Sequence, residues 1–192
     1  RQMCIRDRGG CCGTTPEYIR RLRALADGAK PAPAPFVRRA AVCSATRAVP
    51  VDGVRVIGER INPTGKKAMK QALLAGDYAF VQRQALEQAE AGADILDVNA
   101  GLPELDEKSV LVRLVREVQA VCDLPLQIDC GKPDAIEAAL RAYNGKAIVN
   151  SVNGEDRVLD AILPVAAKYG AAVVGLTMDE RGIPKTAEAR VQ

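Results

Sequence analysis

The chain of 192 residues contains no histidine. That removes imidazole as a general base, a zinc ligand or the activator of a Ser or Cys nucleophile. Aromatic residues make up only 3% of the chain, and its basic residues do not interleave with them, so a nucleic-acid surface is a poor reading. No run of about 18 uncharged apolar residues is present, which excludes a spanning helix on hydropathy. The N-terminus lacks an apolar signal core. These absences lead to the expectation of a soluble cytoplasmic protein with no membrane or nucleic-acid partner.

What is present is unevenly distributed. Residues 1–50 carry 10 Lys/Arg against 3 Asp/Glu, a net of +7, and residues 51–192 carry 17 against 21, a net of −4. The basic excess belongs to the N-terminal segment. Residues 1–8 (RQMCIRDR) are charged, show no period, and read as foreign sequence outside the fold. Residues 9–28 read as a glycine-rich turn and a helix, with Thr15 as N-cap, Pro16 in the first turn and Gly28 as stop. The alternating Pro-Ala of KPAPAP then reads as a stiff linker, and a domain boundary is placed within residues 29–53.

From residue 54 a regular pattern sets in. Short β-branched runs are expected as strands at 54–59, 94–98, 126–129, 147–150 and 172–177, each followed by an amphipathic helical stretch. The first of these helices is expected to break near Gly76-Asp77. Strand-helix repeated five times implies a parallel sheet covered by helices. Both an open doubly wound sheet and a (β/α)8 barrel fit. No glycine-rich dinucleotide fingerprint follows the first strand, and polar residues close four of the five strands, where a barrel gathers its site. The expected fold is therefore an α/β TIM barrel, here truncated to about five βα units.

The strand-end set is Glu59, Asn62, Asp97, Asn99, Asp129 and Asn150. Carboxylates accept hydrogen bonds and carboxamides both accept and donate, so the set suits a heterocycle with a mixed edge. Singly, each residue reads equally well as a turn or cap. Their recurrence on four strands favours a site. Two further features are weaker. The pair Cys11-Cys12 could bind a soft metal as thiolates but cannot complete a four-coordinate shell. In GLTMDERGIPKTAE, Met178 and Asp179 could face a ligand, or the loop could be a plain connector. The remaining cysteines look like isolated small residues, reduced in a chain without export signals.

At these residues the sequence resembles a known family. IGERINPTGKK (57–67), ADILDVNAG (93–101), LQIDCGKP (126–133), KAIVNSVNGE (146–155) and GLTMDERGIPKTAE (175–188) resemble the pterin-binding barrel of cobalamin-dependent methionine synthases. GGCCGTTPEYI (9–19) resembles the end of their homocysteine-binding domain. The resemblance implies a homocysteine-domain tail at 9–28, a linker, and the first part of a pterin-binding barrel at 54–192. It implies that Asp97, Asp129 and Asn150 hydrogen-bond the pterin, with Glu59, Asn62, Asn99, Met178 and Asp179 at or beside that site. It implies that Cys11 and Cys12 are two of three zinc ligands, the third lying outside this chain. The implied reaction takes the methyl group of 5-methyltetrahydrofolate to cob(I)alamin and then to homocysteine, with cobalamin held by another domain of the same polypeptide. The alternatives are a dihydropteroate synthase, against which GGCCGT and TMDERGIP argue, a corrinoid-protein folate methyltransferase of acetogenic type, and an inactive pterin-binding fragment.

Overall fold

The computed structural model describes residues 12–28 and 40–191. The chain divides into two compact units, residues 1–38 and 39–192. In the first, helix α1 (Pro16–Ala26) starts at Thr15, has Pro16 in its first turn, and is followed by Gly28 at φ +82°. Thr15 makes no side-chain capping bond. Glu17 pairs with Arg20 and Arg21, and Arg23 with Asp27, on the helix surface.

The second unit opens with a hairpin of β1 (Ala41–Cys43) and β2 (Ala48–Pro50), antiparallel with Val42 opposite Val49. Five strands follow: β3 (Ile57–Ile61), β4 (Ile95–Asn99), β5 (Leu126–Asp129), β6 (Ile148–Val152) and β7 (Ala172–Gly175). They form one sheet in the order β3-β4-β5-β6-β7, and every neighbouring pair is parallel. The connecting helices are α2 (Lys67–Ala75), α3 (Tyr78–Glu90), α4 (Glu107–Val121), α5 (Pro133–Ala142) and α6 (Asp156–Tyr169), with α7 (Ala187–Val191) after β7. Sequential strand order with a helix at each crossover is the topology of a (β/α) barrel, of which this chain forms a five-strand arc.

Period-two alternation sorts the strand residues into two faces. Leu96, Val98, Leu126, Ile128 and Val149 are buried under helix residues such as Leu111, Leu114, Val118, Ile136 and Ala139. Ile95 and Ile148, on the other face, cluster with Val42 and Val49 of the hairpin. The hairpin therefore closes the end of the sheet where the strands begin. It is tied there by Cys43 N to Lys146 O (3.0 Å), Lys146 N to Cys43 O (2.8 Å) and the Tyr143 hydroxyl to Cys43 O (3.0 Å). Residues 41–50, placed in the linker by sequence pattern, thus belong to the barrel unit. Two apolar positions per strand are too short a signal for the period to register.

The expected helix break is present. Gly76 ends α2 at φ +67°, and Asp77 caps α3 by accepting from Phe80 N at 3.0 Å. The first barrel strand lies three residues later than the valine run of 54–56 suggests. Within the strand the Gln88 side chain of α3 takes the place of a ladder partner. Its Oε1 accepts Arg60 N at 2.8 Å, where the β3–β4 register shifts between Gly58 and Ile61. A Cβ on Gly58 would stand 2.7 Å from that oxygen, so the glycine lets the Gln88 side chain reach the strand. No helix among the described residues is long and apolar enough to cross a membrane.

Candidate functional site

The sheet face turned away from the helices carries its polar residues toward the strand C-termini. The strand registers put them in layers. Asn99, Asp129, Asn150 and Val174 are successive partners across β4 to β7, and one layer below stand Asp97, Gln127, Ile148 and Ala172. Two residues of strand separate the layers by about 6.6 Å. The lower layer rests on the apolar cluster closed by the hairpin, so polarity rises along the strands.

The central pair of strands holds two carboxylates on a diagonal, each clamped by a carboxamide from the strand beside it. Asn99 Nδ2 donates to Asp129 Oδ2 at 2.8 Å, while Asn99 Oδ1 accepts Gly101 N at 2.7 Å. In the lower layer Gln127 Nε2 donates to Asp97 Oδ1 at 2.5 Å. Asp97 is 1% exposed, and its second oxygen, Oδ2, is buried with no hydrogen-bond partner among the described residues. An unpaired buried carboxylate oxygen costs free energy comparable to a lost hydrogen bond or more. Burial is the main reason the Asp97 carboxyl titrates high, at about 6, with Asp129 and Glu59 adding to the rise and the Gln127 hydrogen bond and Lys66 opposing it. A buried acceptor with one oxygen unsatisfied is what a ligand N–H donor completes.

Glu59 and Asn62 form a separate cluster on the first strand of the sheet and its loop. Asn62 Nδ2 donates to Glu59 Oε1 (2.6 Å), Lys66 Nζ to Glu59 Oε2 (2.7 Å), and Thr64 N to Asn62 Oδ1 (2.8 Å). Each Glu59 oxygen thus accepts one bond from within the cluster, and its charge adds to the rise in the Asp97 titration. Asn150 is half-buried in the upper layer beside Asp129, and the Asn150–Ser151 peptide is cis.

Met178 and Asp179 lie in the loop after β7, which leaves the same C-terminal end of the parallel sheet. There the loop after β6 meets them through Gly154 N to Met178 O (2.7 Å), in a cleft also lined by Thr177, Arg181 and Arg190. The Asp179 carboxylate accepts from Arg181 Nε and Nη2, and that bonding holds it below the usual carboxylate range. No side-chain hydrogen bond or ion pair among the described residues joins Met178 or Asp179 to Asp97 or Asp129.

Two participants escape the sequence reading, in which Gln127 is an ordinary strand residue and Lys66 a loop residue. The signal for Gln127 is its spacing: two positions before Asp129, it must share that residue's face. Of the cysteine pair, Cys11 lies outside the described residues. Cys12 is exposed in the turn before α1. Among the described residues no group of three or more His, Cys, Asp or Glu is placed to hold a metal. Cys130, next to Asp129, donates its thiol to Glu107 Oε1 at 3.2 Å, and burial pushes its titration up to about 12.

The profile of the family described as pterin binding enzymes matches residues 58–192. Methionine synthase of Mycobacterium tuberculosis is 33% identical over 96% of this chain, and that of Mycobacterium leprae is 33% identical over 96%. The chain spans 16% of the length of each. Among solved structures, a dihydropteroate synthase of Thermus thermophilus in complex with 4-aminobenzoate aligns with 70% of this chain and 47% of its own at 26% identity and a TM-score of 0.50. The 7,8-dihydropteroate synthase of Vibrio fischeri aligns with 78% of this chain and 52% of its own at 21% identity and a TM-score of 0.52, a likeness of fold. With a five-strand parallel arc, a polar strand-end layer and a family profile that reaches all five strands, the chain belongs to the pterin-binding enzyme family.

Proposed function

We propose that this chain is the pterin-binding part of a cobalamin-dependent methionine synthase, a longer polypeptide, and that it binds 5-methyltetrahydrofolate. The observation that carries this reading is the buried, unpartnered Oδ2 of Asp97 beneath Asp129 and Asn150. The amino-pyrimidinone edge of a pterin offers adjacent N–H donors and acceptors. Two carboxylates each with an oxygen left over, and a carboxamide beside them, answer that edge. The 33% identity to methionine synthases across 96% of the chain favours this reading over dihydropteroate synthase.

The chain's own residues bind and orient the folate. They supply no nucleophile, in keeping with the lack of histidine. Cobalamin, when held by another part of the polypeptide, supplies the nucleophile that takes the methyl group. Zinc, when held by Cys11, Cys12 and a third cysteine from outside this chain, supplies the Lewis acid that keeps the homocysteine sulfur as thiolate. The described residues do not by themselves complete that shell.

The test is calorimetric titration of the chain with 5-methyltetrahydrofolate. One molecule per chain is expected to bind. Asp129→Asn keeps the shape but turns an acceptor toward the ligand into a donor. Leaving a buried polar group unpaired costs about 1–3 kcal/mol, a loss of roughly ten-fold to a hundred-fold in affinity. In the full-length polypeptide the homocysteine half-reaction should be unchanged, which controls for misfolding. No binding by the parent chain, or unaltered binding by the variant, would overturn the reading.

A further inference from the structure

The two carboxamides of the central strands do different work from the carboxylates they touch. Asn99 has both ends engaged, with Asp129 and with the backbone of Gly101. Gln127 is 7% exposed, and its amide is spent on a single oxygen of Asp97. The register brings the two side chains together, because Asp97 and Gln127 are direct partners in the β4–β5 ladder. Here the Gln127 amide holds Oδ1 and leaves Oδ2 without a partner. The result is the one buried side-chain oxygen or nitrogen without a partner among the described residues.

We propose that Gln127 is a positioning residue for the pterin: by holding Asp97 Oδ1 it fixes the rotamer of Asp97, aims Oδ2 at the ligand, and keeps the carboxylate in its accepting, ionised form. This rests on the folate reading for the identity of the ligand, but not for its effect on Asp97. Hydrogen bonding to the charged form of an acid favours that form. The other groups acting on Asp97 are Asp129 of β5 and Glu59 of β3, which oppose its ionisation, and Lys66 of the loop after β3, which favours it. Gln127 is the one neutral donor bonded to it among the described residues. The ligand's N–H donors need an ionised acceptor, so binding should follow the titration of Asp97, and Gln127 should set where that titration falls.

The experiment uses Gln127→Met, which keeps the length and removes the donor, with Gln127→Glu as a second variant of the same shape. The carboxyl titration of Asp97 is read without ligand by isotope-edited infrared spectroscopy, its band identified by its loss in Asp97→Asn. Affinity for 5-methyltetrahydrofolate is measured across pH in parallel. In the parent chain both should turn over near pH 6. Losing the donor should raise the midpoint by about one unit. Affinity should then be about five-fold weaker at pH 6 from the shifted ionisation alone, with a smaller loss left at pH 8.5, where Asp97 is ionised in both chains and only its orientation differs. Gln127→Glu should raise the midpoint at least as far, since a second carboxyl would sit against the first. A midpoint unmoved in a folded variant overturns the proposal. So does a loss of affinity that is uniform across pH, which would mark a purely structural residue. Failure of both variants to fold, judged by circular dichroism, would also overturn it. If the infrared midpoint moves but the parent chain binds no folate, Gln127 is upheld as the residue that tunes Asp97, and the folate reading fails.

Discussion

Asp97 illustrates how a binding residue can be unfavourable for the fold that holds it. Its carboxyl titrates at about 6, above the ordinary 3.8, chiefly because burial disfavours the charge. The folded chain therefore binds a proton more tightly than the unfolded chain. Between about pH 4 and pH 6 stability should fall as pH rises, then level off once Asp97 is ionised in both states. A shift of about two units corresponds to at most roughly 3 kcal/mol. Asp97→Asn should accordingly raise the thermal midpoint at pH 8, flatten the slope between pH 4 and 6, and weaken folate binding. Melts across pH, with a folate titration beside them, check all three, and a variant less stable than the parent at pH 8 would contradict the argument. Cys130 offers a second test at this scale. With its thiol buried and titrating near 12, the reactive thiolate is scarce at neutral pH. Iodoacetamide at pH 8 should label Cys130 only after denaturation, as read by peptide mapping.

Among the elements, the hairpin of β1 and β2 is held to the sheet at a few points that can be removed one at a time. The Tyr143 hydroxyl joins it to the sheet, donating to Cys43 O and accepting Leu126 N at 3.2 Å. Tyr143→Phe leaves the buried Leu126 N–H unpaired, while Cys43 O keeps its bond from Lys146 N, and should cost about 1–3 kcal/mol in urea unfolding. Gly145 is held even more tightly. A Cβ there would lie 2.1 Å from Cys43 O, a backbone atom that cannot swing aside. Gly145→Ala should displace the hairpin and destabilise by at least a comparable amount. Retained stability in both variants would show that the hairpin is dispensable to the barrel unit.

For the barrel unit as a whole, the arc leaves β3 and β7 each with a neighbour on one side only among the described residues. Apolar side chains line these borders: Val54 (91% exposed) and Val56 run into β3, and Val173 and Leu176 lie at β7. Unpaired strand edges with exposed apolar residues recruit other chains, and closure of a barrel is the usual remedy. Purified alone, the chain should associate as its concentration rises, as read by sedimentation velocity. A single monomeric species with one sharp unfolding transition over a hundred-fold range of concentration would contradict this.

Much of this arrangement was legible in the sequence, because its causes are local. Apolar alternation and short β-branched runs placed the five strands and the helices between them, and Gly76 with Asp77 marked the break between α2 and α3. The recurrence of Asp and Asn at strand ends marked the site's location, since strand period two and parallel topology leave those positions no other place to gather. What tertiary structure decided was pairing. Whether Glu59 is an open acceptor or one already held by Asn62 and Lys66 depends on how a loop folds back. That Asp179 is bonded to Arg181 is likewise a matter of loop path. The hairpin of residues 41–50 was invisible because its strands are too short to show a period, and it exists by packing Val42 and Val49 against Ile95 and Ile148. Gln127 became a partner of Asp97 only through the β4–β5 register, a relation between residues 30 apart that no local pattern encodes.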